Sequence, residues 1–344
     1  MANLTISPHQ YVDRESGTVR TESMFADRLV HYLYSTVREK TPHLFRALTS
    51  ARTSRLLAFL NYDLPLGDGL TGGARLAANL GLNLKECLDP PGTLNSARKV
   101  FERKIRYWET RPLPPDPKAV VSPADSKLLI GSFAEQHLLF VKEKFFSYPE
   151  LLGSSKANWQ QAFADGDFCV CRLTPEKYHY NHSPVSGKVV AIYAIDGSYH
   201  SCNPGAVTRA VTPYSKNKRV VTIIDTDLPG GSQVGLVAMI EVVALMIGGI
   251  TQCYSDARYE RPRAVLRGLW MERGQPKSVY NPGSSVDILI FQPGRIRFSA
   301  DLRRNLTRPG VQSRFSLNFG HPLVETDVKV RSAIAHRIEG DPPT

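Results

Sequence analysis

The sequence predicts an α+β fold: a helical N-terminal region over residues 1–110, then a β-rich domain over residues 119–344 with folded hairpins like those of a barrel sandwich. Three observations carry this. Apolar residues recur at helical spacing through most of the first hundred positions. The Pro-rich run RPLPPDPK, residues 111–118, is extended and interrupts that texture. After it come short β-branched runs broken by Gly, Pro and Asn. At 344 residues, 42% hydrophobic and 22% charged, the chain can bury a full core, and neither a disordered nor a disulfide-scaffold class fits it.

Residues 20–62 read as two amphipathic helices. The first places Phe25, Leu29 and Leu33 on one face, and the second opens at Thr41-Pro42, where Thr41 can cap and Pro42 suits the first helical position. The second helix carries Leu44, Phe45, Leu48, Leu56, Leu57, Phe59 and Leu60 among Arg46, Arg52 and Arg55. That stripe suits the surface of an anionic bilayer, or it packs on the protein's own core; both readings stay open. Further helices are expected over 74–84 and 95–108, after the Gly-rich stretch 67–73.

Strands are expected over 127–131, 137–141, 168–173, 188–195, 219–225, 234–243 and 286–291. The longest apolar run, 234–250, contains Glu241, Gly248 and Gly249 and is shorter than the roughly 20 residues a bilayer span needs, so it reads as buried strand. PVSGKV at 184–189 with Asp196-Gly197, and the run 325–335, are similar to hairpins of lipoyl-like barrel sandwiches.

Lys and Arg number 43 against 32 Asp and Glu, a formal charge of +11 that favours an anionic partner or simply a solvated basic surface. No finger spacing or aromatic RNA-binding motif is present, so nucleic acid is set aside and an anionic membrane surface is preferred. Five cysteines form no framework and fit a reducing compartment. With no secretory signal in MANLTISPHQYVDRE, the expected location is peripheral on the cytoplasmic face of a membrane, or cytoplasmic.

Four stretches carry the chemistry: VVSPAD (120–125), YHYNHSPVSG (178–187), GSYHSCNP (197–204) and PGSSV (282–286). In this order they resemble the phosphatidylserine decarboxylase family of self-cleaving, pyruvoyl-dependent proenzymes. FFSYPELLG (145–153) and NKRVV (217–221) extend the resemblance, which runs from about residue 101 to 335.

The resemblance implies scission between Gly283 and Ser284, leaving a β-chain of 1–283 and an α-chain of 284–344. A glycine there lets the backbone strain and leaves its carbonyl open to attack. The Ser284 hydroxyl takes the acyl group from its own nitrogen, and β-elimination then leaves a dehydroalanine that hydrolyses to pyruvoyl, so the cofactor is made from Ser284 itself. Serine needs a base held by a third group. By resemblance His182 is that base, Asp125 its orienting carboxylate, and His179 the proton donor in decarboxylation.

Taken alone, Asp125 reads as a turn residue and each histidine as a satisfied core residue. On a strand His179 and His182 would face opposite ways; in a turn both could point inward. A zinc site at His179-x-x-His182 lacks further spaced ligands, so no metal is expected. Two departures stand near the cleavage site: Ser278 replaces a glycine, and Pro282 restricts Asn281 to extended geometry.

The resemblance implies a carboxy-lyase whose pyruvoyl group forms a Schiff base with phosphatidylserine, releases CO2 and gives phosphatidylethanolamine. Its expected partners are that lipid, an anionic membrane and its own two chains, with a homo-oligomer open. The alternatives are decarboxylation of a soluble amino acid or another aminated lipid, and an unprocessed homologue that only binds lipid.

Overall fold

Pairing of the β-branched runs along the chain produces sixteen strands among the residues described by the computed structural model, which are 7–23, 72–134, 146–208, 213–243, 249–282 and 285–339. In chain order they are β1 (Gln10–Asp13), β2 (Val19–Thr21), β3 (Val120–Val121), β4 (Ser126–Ser132), β5 (Asp167–Leu173), β6 (Tyr180–His182), β7 (Gly187–Ile195) and β8 (Arg219–Asp225). These are followed by β9 (Leu236–Val243), β10 (Ile250–Gln252), β11 (Trp270–Met271), β12 (Pro276–Tyr280), β13 (Ser285–Phe291), β14 (Ile296–Phe298), β15 (Thr326–Val328) and β16 (Ala333–Arg337).

Ten strands form one sheet in the order β11-β7-β8-β9-β13-β5-β4-β15-β1-β2, antiparallel throughout except for β1 beside β15. Two three-stranded sheets accompany it, β10-β12-β6 and β14-β16-β3. Strand β13 lies in the interior of the large sheet, paired along its whole length with β9 on one side and β5 on the other. Its alternating side chains serve two cores. Val286, Ile288 and Ile290 join Val170, Ile240 and Phe168 under short helical segments that contribute Leu151, Leu152, Tyr214 and Phe315. Leu289 and Phe291 join Cys169, Met239 and the β14–β16 layer through Ile296, Phe298 and Ile334.

The mixed, sheet-dominated fold agrees with the expectation, and strands over 127–131, 168–173, 188–195, 219–225, 234–243 and 286–291 are present with small shifts at their ends. Several details differ. The large sheet is open, running from an edge at β11 to an edge at β2, and does not close into a barrel. The expected helical start is replaced at Gln10–Thr21 by a hairpin joined to that sheet, while most of the two amphipathic helices expected over 20–62 and the strand expected over 137–141 lie outside the described residues.

The helix expected over 74–84 spans Gly72–Asn79 and ends near Gly81, whose φ of +66° is a left-handed stop. The one expected over 95–108 divides into Ala97–Phe101, capped by the Ser96 hydroxyl, and Tyr107–Thr110. Between them the backbone is diverted into pairing with Cys87 and Leu88. The Pro-rich run is held by Arg273, which donates to the carbonyls of Pro114, Asp116 and Ala119.

A buried ionic cluster ties the N-terminal hairpin to the sheet. Arg172 on β5 bonds Glu22 at 2.6 Å and Glu325 at 2.7 Å, and Glu325 also accepts from His9 at 2.7 Å. Against the cost of burial, Arg172 and His9 hold the Glu325 carboxyl down at about 2. Two buried carboxylates depend on one guanidinium. Arg172→Met should therefore cost about 3–5 kcal/mol in urea unfolding, because it strands both charges. A loss below about 1 kcal/mol would show that the carboxylates neutralise themselves instead.

Candidate active site

Strand β6 brings the two histidines to the ends of two other motifs. The His182 backbone N–H donates to the Pro123 carbonyl at 2.7 Å, so the 120–125 stretch lies alongside it. On its other side β6 pairs with β12, His182 opposite Pro276 and Tyr180 opposite Val279. One residue further, the Tyr280 N–H donates to the His179 carbonyl at 3.1 Å. His179 thus sits beside the last strand residue before the expected cleavage bond, and His182 beside the first residue of that strand.

Both imidazoles are fully buried. His182 Nδ1 lies 2.8 Å from the Gly274 carbonyl, which can only accept, so this nitrogen carries the proton and Nε2 presents its lone pair. That lone pair meets the Tyr178 hydroxyl at 2.9 Å, and Tyr178 is itself 2.6 Å from the Tyr259 hydroxyl. Gly274 takes φ +74°, and a Cβ there would fall 2.6 Å from Leu113, so a glycine is required to aim this carbonyl. Burial pulls the His182 pKa down to about 3, and the ring is neutral at ordinary pH.

His179 stacks on Phe101 with ring centroids 3.5 Å apart. Neither of its ring nitrogens makes a full hydrogen bond among the described residues, although the Lys177 backbone lies close enough to favour the protonated ring slightly. Burial, reinforced by the Arg103 charge, pushes its pKa well below the usual histidine range. A buried imidazole without a full hydrogen bond is costly, which makes His179 a candidate for chemistry.

Asp125 accepts from Arg111 Nε at 3.1 Å and Nη2 at 2.9 Å, and from the Val330 N–H at 2.8 Å. Against the cost of its complete burial, Arg111 holds the carboxyl below its ordinary value. Asp125 and His182 share the backbone contact through Pro123 but no side-chain hydrogen bond. Asp125 instead opens onto a cavity of about 480 Å³ whose lining includes Arg103, Arg111, Lys177 and Tyr178.

Gly283 and Ser284 lie outside the described residues; their neighbours are placed. Ser285 opens β13 with its hydroxyl buried and without a partner among the described residues, and the same holds for Oδ2 of Asp287. Beneath them Glu241 on β9 bonds Lys277 at 2.7 Å, Gln252 at 2.8 Å and Asn181 at 3.2 Å, and accepts from Ser278. Ser278, which departs from the resembled pattern, is thus part of a buried network.

A profile of the phosphatidylserine decarboxylase family matches residues 97–319. The chain belongs to this family. It is 30% identical over 295 residues to a phosphatidylserine decarboxylase proenzyme of Chlamydia trachomatis, covering 85% of this chain and 90% of that one. It is 29% identical over 271 residues to the proenzyme of Nitrosococcus oceani, covering 76% and 83%. It is also 28% identical over 337 residues to phosphatidylserine decarboxylase proenzyme 3 of Schizosaccharomyces pombe, covering 96% of this chain but only 31% of that relative's length.

For this phosphatidylserine decarboxylase family member, sequence reasoning missed the groups that hold the site. Arg111, Gly274, Tyr178, Tyr259, Lys277 and Asp287 were not singled out. A signal existed for Asp287 and Lys277: charged residues within or beside apolar strand sequence. Arg111 carried none, because its partner is decided by tertiary packing.

The depressed His182 gives a pH signature. Below its ordinary value of 6.5 the unfolded imidazole takes a proton that the folded ring refuses until about pH 3, so its contribution to stability is lost as pH falls through that window. Asp287, whose pKa burial and Glu241 raise well above the ordinary value, acts with the opposite sign but is common to wild type and variant. In melting curves from pH 6.5 down towards about 3, His182→Gln should lose Tm less steeply than wild type. Parallel curves would show that His182 titrates normally.

Proposed function

We propose that the chain is a phosphatidylserine decarboxylase proenzyme that cuts itself between Gly283 and Ser284 and then converts phosphatidylserine to phosphatidylethanolamine and CO2. The observation that carries this reading is His179: a buried, neutral imidazole without a full hydrogen bond among the described residues, bonded through its carbonyl to Tyr280, four positions before Ser284. Family membership supplies the substrate class, and the orphaned polar atoms of Ser285 and Asp287 fit a reactive group at position 284.

Each residue has a task its environment suits. His182, neutral with its lone pair directed at Tyr178, takes the Ser284 hydroxyl proton directly or through that phenol. Asp125, charged and anchored by Arg111, orients the segment that holds the His182 backbone. The acyl shift breaks the Gly283–Ser284 amide as the Ser284 ester forms; elimination of the ester and hydrolysis, with loss of ammonia, follow. A pyruvoyl group at position 284 supplies the carbonyl that receives the substrate amine and withdraws the electrons freed with CO2. His179, neutral at rest, takes a proton from the substrate ammonium as the amine condenses and returns it to the substrate carbon that has lost CO2.

A second reading draws on the same geometry. His179 flanks the strand end before the proposed scissile bond and has neither ring nitrogen in a full hydrogen bond among the described residues, so it can serve as the cleavage base while His182 remains occupied by Gly274 and Tyr178.

An anionic membrane surface is the proposed partner. Arg258, Arg261, Arg263 and Arg267 are exposed on one loop around Leu266, which is 63% exposed. The loop also carries Tyr259, which reaches Tyr178 beside His182. Among the described residues no helix is long and apolar enough to cross a membrane, so the association is proposed to be peripheral.

Purified protein should yield chains of 1–283 and 284–344 by mass, co-purifying until denatured because β13 is zipped between β9 and β5. Those chains should release CO2 from phosphatidylserine vesicles and not from free serine. A persistent 38.3 kDa chain would refute maturation, and faster turnover of free serine would move the substrate to the soluble class.

Single variants apportion the roles. Ser284→Ala, Asp125→Ala and His182→Ala should block or greatly slow scission. His179→Ala should be cut normally, yet lose the roughly 10² to 10⁴-fold in turnover typical of a positioned general acid. Uncut His179→Ala beside normally cut His182→Ala would select the second reading.

A further inference from the structure

We infer that Tyr280 and Asp287 form a positioning pair that ties together the two ends of the stretch containing the Gly283–Ser284 bond and so sets the geometry for self-cleavage. The inference rests on the proposed scission. Tyr280 ends β12 in a three-stranded sheet, and Asp287 lies in β13 inside the large sheet. The Tyr280 hydroxyl spans the gap: it lies 2.9 Å from the Val286 carbonyl and 2.8 Å from Asp287 Oδ1. Both residues are buried, and these bonds join what would become the tail of one chain to the head of the other.

The arrangement constrains the protonation of the pair. A phenol has one proton and here meets two oxygens, one of them a carbonyl that can only accept. Both contacts are full hydrogen bonds if Tyr280 donates to Val286 while a protonated Asp287 donates to Tyr280. The surroundings favour that neutral carboxyl. Asp287 stands directly opposite Glu241 on β9 and Cys171 on β5, fully buried, and the nearby Lys277 is already bonded to Glu241. Burial first, and the Glu241 charge second, raise the Asp287 pKa well above the ordinary carboxyl value.

Such a tie has a direct use in serinolysis. Attack by a side chain on the carbonyl of the preceding residue demands a narrow backbone geometry, and fixing both ends of a short stretch limits the conformers it samples. Pro282 narrows them further from within.

Cleavage kinetics after pulse-labelled cell-free synthesis of the full chain test the pair, alongside Tm of the uncut proteins in a Ser284→Ala background. Tyr280→Phe, which removes one hydroxyl, should cut roughly tenfold more slowly than wild type. Asp287→Val should be slowed similarly, and the conservative Asp287→Asn, whose amide can donate to Tyr280, should recover most of the rate. The double variant Tyr280→Phe/Asp287→Val removes both members of the side-chain pair and should regain Tm relative to either single variant while still cutting slowly. Cleavage that recovers together with Tm, or Tyr280→Phe cut at the wild-type rate while wild type is cut at Gly283–Ser284, overturns the positioning role and leaves the proposed function intact. A wild-type chain that stays whole overturns both.

Discussion

The structure depends on one topological constraint: between Tyr280 and Ser285 the chain must pass from the three-stranded sheet to an interior position of the large one. Both ends of that passage are anchored by strand pairing. On one side β12 is held by β6 and β10; on the other β13 is held along its length by β5 and β9. The same pairing carries His179 alongside the end of the passage, so this histidine and the strand end before the proposed scission are positioned by one set of backbone hydrogen bonds.

Charge burial is the second consequence. A β-rich interior around this passage has little water to solvate ionised groups, so charges inside it are paired or suppressed. Arg111 holds Asp125 ionised, Lys277 does so for Glu241, and Arg172 serves two carboxylates at once. Among the described residues the histidines and Asp287 have no compensating charge in contact, and burial favours their neutral forms. A neutral imidazole is able to accept a proton, which is what the proposed scission asks of one histidine and the first half of the proposed proton cycle asks of the other. Low dielectric surroundings also favour loss of a carboxylate's charge as CO2.

The Asp125 cavity and the arginine-bearing loop around Leu266 lie on elements that touch the histidine strand through Tyr178 and Tyr259. A basic loop thus adjoins a buried neutral site, and the proposed recruitment of an anionic lipid headgroup rests on that adjacency.

By itself the sequence determined the local elements and the family. Strand composition was enough to place β4, β5, β7, β8, β9 and β13 to within a few residues, because β-branched runs bounded by Gly and Pro have few other uses. The ordered motifs around Asp125, His179, His182 and Ser284 pointed to the family, because chemistry at a site needs particular atoms in a particular order. What only the tertiary structure decided is which partner each group meets. The N-terminal Gln10–Thr21 segment became sheet because a distant β15 offered an edge. The 95–108 helix broke because Cys87 and Leu88 competed for its backbone. Asp125 turned to Arg111, and His182 to Gly274 and Tyr178, rather than to each other. Local propensity acts over a few residues, whereas these pairings cross up to about three hundred positions of sequence and are selected by the burial of whole surfaces, a quantity that no local pattern encodes.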